Sequence, residues 1–67
     1  MSDAWDCRVL VLKFFDGDHL KTDLWFRSPN PLLGGTLSPD DMIQLRRAKK
    51  LLKFVQGQLA ENEGPAT

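Results

Sequence analysis

Few side chains in this 67-residue chain could carry out covalent chemistry. Cys7 is the only cysteine and His19 the only histidine, and tyrosine is absent. A nucleophile needs a positioned base and a third group to orient that base. Cys7 and His19 could supply the first two, but no local signature joins them. A single thiol and a single imidazole also fall short of a closed zinc site. Asp16, Asp18 and Asp23 could face a cation, yet calcium loops need more oxygen ligands at fixed spacing. Turn and capping duty accounts for these acids. Gly34-Gly35, just ahead of a helix start, could offer backbone amides to a phosphate. The stretch lacks a P-loop lysine and the spacing of a dinucleotide fingerprint. The chain therefore reads as a non-enzyme, with no catalytic residue, cofactor or metal expected.

Recognition chemistry is better represented. Arg46-Arg47-Ala48-Lys49-Lys50 plus Lys53 is the only charge asymmetry. Its plain reading is a solvated helix face. Contact with an acidic protein surface is the functional reading, and nucleic acid comes last because few cations gather there. Trp5 and Trp25 are the largest apolar groups. Core packing is their default role, and contact anchoring the alternative.

Composition sets the frame for these residues. Apolar residues make up 42% and charged residues 27%, as in a folded globular domain. Nine basic and nine acidic residues cancel, which argues against general affinity for nucleic acid or anionic membrane. So short a chain makes one domain at most and buries a modest core. With one cysteine it has no intrachain disulfide, so oligomerisation or complex formation is the expected source of extra stability. No secretory signal or membrane-length apolar run is visible. A lone thiol without an export signal favours the cytoplasm.

The elements that would position these groups form a single domain over 1–67, with an ordered core of about 5–60. Residues 1–4 and the tail 61–67 read as frayed or flexible. The first element, from about Trp5 to Phe15, fits two templates. Residues 7–14 could be a strand buried on both faces, and β-branched and aromatic content leans that way. Equally, Trp5, Val9, Leu12 and Phe15 fall at helical spacing. Asp16-Gly17-Asp18 is a turn, with Asp18 placed to cap a short helix from His19 to about Arg27. Leu20 and Leu24 mark that helix's apolar face. Ser28-Pro29 ends it, because the residue before proline is pushed out of the helical region.

The loop Pro29–Gly35 is dense in backbone control. Prolines fix φ at 29 and 31, Asn30 can bond neighbouring backbone, and Gly34 and Gly35 permit left-handed geometry. A stiff connector with its leucines buried is expected. Ser38, Pro39 and Asp41 spell a capped helix start. On a helical wheel, Leu45, Ala48, Leu51, Leu52, Val55 and Leu59 share one face. Met42, Ile43 and Phe54 fall among the cations instead. A bend near Leu45–Ala48 resolves this, predicting two helices at about 38–45 and 47–60; one long helix meeting a partner is the alternative.

From about Val9 to Leu59 the sequence resembles the C-terminal toxin-binding domain of Xre/MbcA/ParS-type bacterial antitoxins. The residues carrying the resemblance are Phe15-Asp16-Gly17-Asp18, Trp25-Phe26, Pro29-Asn30-Pro31-Leu32-Leu33-Gly34-Gly35 and Ser38-Pro39. They follow a motif close to W-[LF]-x-x-P-N-x-x-L-G-G with a Ser/Thr-Pro helix start beyond it. Two departures stand out: Arg46-Arg47-Ala48 where the family often has glycine, and an extra residue before Ser38-Pro39. The family also places a helix-turn-helix domain ahead of this module. Too few residues precede Val9 to hold one, so its DNA-binding role is not expected here.

The resemblance implies an all-α fold, a small bundle of three to four short helices joined by the Pro/Gly elbow. The α+β form with strand 7–14 stays the alternative. It also implies a protein-binding function. Family members neutralise an NAD-consuming toxin by covering its active site with the last helix and tail, and they self-associate. By position, the structural motif is Trp25, Pro29, Asn30, Pro31, Leu33, Gly34, Gly35, Ser38 and Pro39. The partner surface would comprise Arg46, Lys49, Lys50, Lys53, Gln56, Leu59 and Glu61, with the tail reaching Glu63. Expected partners are a protein such as a toxin, and further copies of the chain; no membrane partner is expected. Alternative functions are an orphan dimerising or regulatory adaptor without a toxin, and a weak nucleic-acid binder using the basic face 46–53. A bacterial or phage setting follows from the family.

Overall fold

A computed structural model describes residues 2–62, with the side chain of Asn62 left out of account. Four α-helices, α1 (Asp3–Phe14), α2 (His19–Arg27), α3 (Pro39–Gln44) and α4 (Ala48–Asn62), follow in order, with a 3-10 turn at Pro31–Leu33 between α2 and α3. Among the described residues there is no strand, so the all-α expectation holds and the α+β alternative for residues 7–14 is overturned. Nor is any helix among them long and apolar enough to cross a membrane.

The local chemistry of the first element explains its helicity. Ser2 caps it, its side chain accepting from the Trp5 amide at 3.1 Å. Asp3 and Asp6 sit in its first turn, where the helix dipole favours acids. The helix thus starts before the expected Trp5. Cys7 and Val11, one turn apart, are its buried pair. Trp5, which the apolar stripe placed inward, is 55% exposed. A helix whose middle, Val9 to Leu12, is apolar on every side offers several stripes, and the partner helix chooses among them.

That partner is α4, whose own buried pair is Leu51 and Val55. Phe26 from α2 and Met42 from α3 complete the buried apolar set, with Leu10, Phe15, Trp25, Leu33 and Phe54 among those packed around it. Burying a side chain such as Leu51 stabilises by about 2–3 kcal/mol. So few fully buried apolar groups make a thin core.

α2 differs from its expected orientation. Leu20 and Leu24 point outward, 77% and 62% exposed, while Thr22 and Phe26 are buried. Thr22 tolerates this because its hydroxyl donates to the Asp18 carbonyl at 2.8 Å. The volume of Phe26, and its edge-to-face contact with Trp25 at 5.0 Å, outweigh two leucines in setting the face.

The predicted break in the last helical stretch is present at Leu45–Arg47. α1 and α3 end alike. Gly17 donates to the Leu12 carbonyl at 2.8 Å and Asp16 to that of Lys13 at 3.0 Å. In the same pattern Arg47 donates to Met42 at 2.8 Å and Arg46 to Ile43 at 3.0 Å. Both are Schellman stops, and both put a non-glycine residue at positive φ: Asp16 at 56° and Arg46 at 60°. Leu45, expected to lead the α4 core face, belongs instead to this stop and is 53% exposed. α4 carries Glu61 and Asn62 within the helix; the expected tail beyond them lies outside the described residues.

Candidate protein-binding surface

The elbow is built around Asn30. Its side-chain oxygen accepts from the Leu32 amide at 2.9 Å. Its own N–H donates to the Leu37 carbonyl at 2.9 Å, closing the loop. Its carbonyl accepts from the amides of Leu33, at 2.9 Å, and Gly35, at 3.3 Å. Pro31 opens the 3-10 turn, and Gly34 and Gly35 leave it at φ 102° and 85°, where any other residue would be strained. Ser38 and Asp41 then form the expected capping box: the Ser38 hydroxyl accepts from the Asp41 amide at 3.1 Å, and the Asp41 carboxylate from the Ser38 amide at 2.9 Å. Ser38 and Pro39 are buried, Trp25 and Leu33 half-buried, and Pro29 exposed. Leu32, expected inside, is 67% exposed, because the tight 3-10 turn gives only Leu33 a path to the core.

Arg46, Lys49, Lys50, Lys53, Gln56 and Glu61 are all exposed. On α4 the residues Lys49, Lys53 and Gln56 lie along one line, opposite Leu51 and Val55. Leu59 does not join that line. It is half-buried and turns toward the bundle, lining a cleft. Lys50 and Glu61 sit on the flank away from Leu59. The predicted partner residues thus divide into a polar outer face and one apolar outlier.

The electrostatics of this face are unbalanced. Among the described residues the one ion pair is Arg8 with Asp23, far along the sequence from the cations at 46–53. The Arg8 guanidinium hydrogen-bonds the Asp23 carboxylate and holds it below the ordinary range. It also lies 5.8 Å from the centre of the Phe26 ring. Arg46, Arg47, Lys49, Lys50 and Lys53 have no such partner among the described residues. Arg47, Lys49 and Lys50 crowd the start of α4, the positive end of its dipole, and no acid stands in its first turn.

The groups weighed for catalysis are scattered. Cys7 is fully buried, its sulfur 3.9 Å from the Ala48 carbonyl oxygen. Burial, with the Asp3 and Asp6 carboxylates, pushes its thiol up to about 11. His19 is exposed at the start of α2. Asp18 caps that helix, accepting from the Lys21 amide at 3.0 Å, and Asp16 makes the α1 stop. Among the described residues no three acids, thiols or imidazoles gather at metal-binding distance.

An apolar side was not anticipated. A cleft of about 270 Å³ opens between the end of α1, Trp25, the elbow and the second half of α4. Leu24 lines a shallower hollow that shares Phe15, Trp25 and Asn30 with it. The outward turn of Leu20 and Leu24 had no sequence signal, since helical spacing alone makes them a core face. Taken together, the chain is a small all-α bundle with one basic and one apolar surface. It matches no protein-family model, no curated protein and no solved structure.

Proposed function

We propose that this chain is a cytoplasmic protein-binding module like the toxin-binding domain of Xre/MbcA/ParS-type antitoxins. It acts by covering an acidic surface of a partner protein, such as an NAD-consuming toxin, and no bond is made or broken. The supporting observation is the set of cations at 46–53, which have no ion-pair partner among the described residues. A helix start normally recruits acids, and here it carries arginine and lysine at a cost in stability. Function is the usual reason a sequence keeps such a conflict. An acidic partner would relieve it, with Arg46, Lys49, Lys50 and Lys53 giving charge contacts and Gln56 and Glu61 extending the footprint along α4. Leu59 serves the bundle more than the partner in this reading.

The test is co-purification with the product of the neighbouring reading frame, followed by an NAD-consumption assay of that product. Addition of the chain should suppress NAD loss. The double variant Lys49→Glu, Lys53→Glu should restore it while retaining helical circular dichroism. Binding should weaken steeply with salt. Full suppression by the double variant would exclude the basic face as the contact surface.

A further inference from the structure

We propose that the cleft between α1, the elbow and α4 is a small-molecule site, shaped for a flat, neutral aromatic that carries an amide or lactam group. The inference does not rest on the basic face and goes beyond the function proposed for it.

The walls are aromatic. Phe14, Phe15, Trp25 and Phe54 line the cleft, brought together from α1, α2 and α4. The rings of Phe14 and Phe15 stand at 75° to one another with centres 5.2 Å apart. Such a corner offers an incoming ring one face and one edge, the two contacts aromatic groups favour. The volume of about 270 Å³ lies just under the usual range for small-molecule sites. At interior packing density a pair of fused rings takes up on the order of 200 Å³, so the cleft holds one such molecule.

Apolar walls alone would suit any greasy surface, and two side-chain amides narrow the choice. Asn30 and Gln58 both line the cleft and both are half-buried. Asn30 spends its side-chain oxygen on the Leu32 amide at 2.9 Å, which fixes the direction of the group. Its NH2 has no protein partner among the described residues, and neither has any part of the Gln58 amide. A purely hydrocarbon occupant would strip water from these groups and give nothing back. A lactam repays both: its carbonyl accepts from the Asn30 NH2 and its N–H donates to the Gln58 oxygen. The Asn30 donor is held in place by the elbow before any ligand arrives, which lowers the ordering cost of binding.

Charge excludes the other classes. No residue lining the cleft is ionisable. A carboxylate or ammonium ligand would therefore enter without a counter-charge, at a desolvation cost the site cannot return. Recognition here depends on shape and neutral hydrogen bonds, whereas recognition on the α4 outer face depends on charge.

The probe is 2-quinolinone, titrated into the full chain and followed by amide-resolved NMR. Saturable shifts should appear at the Asn30 and Gln58 side-chain amides and at the Trp25 indole, with a dissociation constant of about 0.1–1 mM. Lys49 and Lys53 should not respond, and the affinity should not change with salt, unlike capture through the basic face. N-methyl-2-quinolinone, which lacks the donor, should bind roughly tenfold more weakly. Gln58→Leu should weaken 2-quinolinone by a similar factor and remove the difference between the two ligands, as a double cycle requires. The comparison of ligands on the unaltered chain needs no variant to fold. Absence of saturable shifts would overturn the proposal, as would equal binding of naphthalene, which would make the cleft a greasy surface only. Broadening of the cleft signals with protein concentration, without a response to the lactam, would assign the cleft to a protein contact and overturn it equally. Loss of partner capture in Lys49→Glu, Lys53→Glu with lactam binding unchanged separates this site from the basic face.

Discussion

Two of the connectors that turn this chain are built to opposite standards. The elbow from Ser28 to Ser38 obeys every local rule. Proline sits where φ must be near −65°, glycine where φ is positive, asparagine where backbone needs a side-chain acceptor, and a capping box closes it. The stop between α3 and α4 does the same mechanical job with the wrong residue. Arg46 holds φ 60° where glycine is the usual choice, and further cations follow into a helix start without an acid. The contrast teaches that the elbow is optimised for shape, whereas the α3–α4 stop gives up stability to place positive charge.

The largest expected effect lies in the elbow. Replacing Gly34 and Gly35 together with alanine leaves room for the new methyl groups, since nothing lies within 4 Å of either position. The strain is purely conformational and should cost about 3 kcal/mol for the two residues. A domain with so thin a core has only a few kcal/mol to lose. Urea titration followed by tryptophan fluorescence should show the midpoint collapse. A change below about 0.5 kcal/mol would mean that the elbow is not held in its left-handed form.

The α3–α4 stop should respond in the opposite direction. Arg46→Gly relieves the left-handed strain, less the entropy glycine adds to the unfolded chain, for a gain of about 0.5–1 kcal/mol. Asp16→Gly at the matching α1 stop should gain less, because aspartate accepts this conformation more readily than arginine. Partner binding divides the pair. Arg46→Gly should weaken capture of the proposed acidic partner severalfold while raising the thermal midpoint, and Asp16→Gly should leave capture unchanged. If Arg46→Gly stabilised without loss of binding, the left-handed arginine would be an accident and the contrast between connectors would carry no functional meaning.

The same contrast explains what the sequence could reveal. Ser28-Pro29, Asn30, the glycine pair and Ser38-Pro39-Asp40-Asp41 act through their own backbone and near neighbours, so α2's end, the elbow and α3's start were legible. Met42 and Ile43 betrayed the break by falling among cations on a single helix. The positive φ of Arg46 was not legible, because a six-residue α3 and the packing of Met42 impose it from outside. Nor was the rotation of α2. Leu20 with Leu24 and Thr22 with Phe26 each fit helical spacing, and only competition for space beside α1 and α3 decides which pair is buried. The basic face was visible as charge, whereas the apolar cleft exists only once α1, the elbow and α4 have met.

An effect that vanishes near neutral pH and grows above pH 9 tests whether the two connectors also differ in how they are tied to the core. Cys7 lies under the first turn of α4, its sulfur against the Ala48 carbonyl, just beyond the strained stop. Its thiol is raised from 9.0 to about 11 by burial first and by Asp3 and Asp6 second. The folded state therefore prefers the neutral thiol. Its contribution to stability is complete below pH 9 and is lost as pH climbs toward 11, because the unfolded chain releases the proton earlier. At pH 8 thiolate is about one part in a thousand of the folded protein, so a thiol reagent should react only as fast as the core opens. Raising the pH from 8 to 10 should lower the urea midpoint of the wild type more than that of Cys7→Ala. The added amide exchange should appear at Arg47–Leu51, not at Asn30–Gly35. Loosening that began at the elbow would place the weak connector on the wrong side of the bundle and undo the distinction between them.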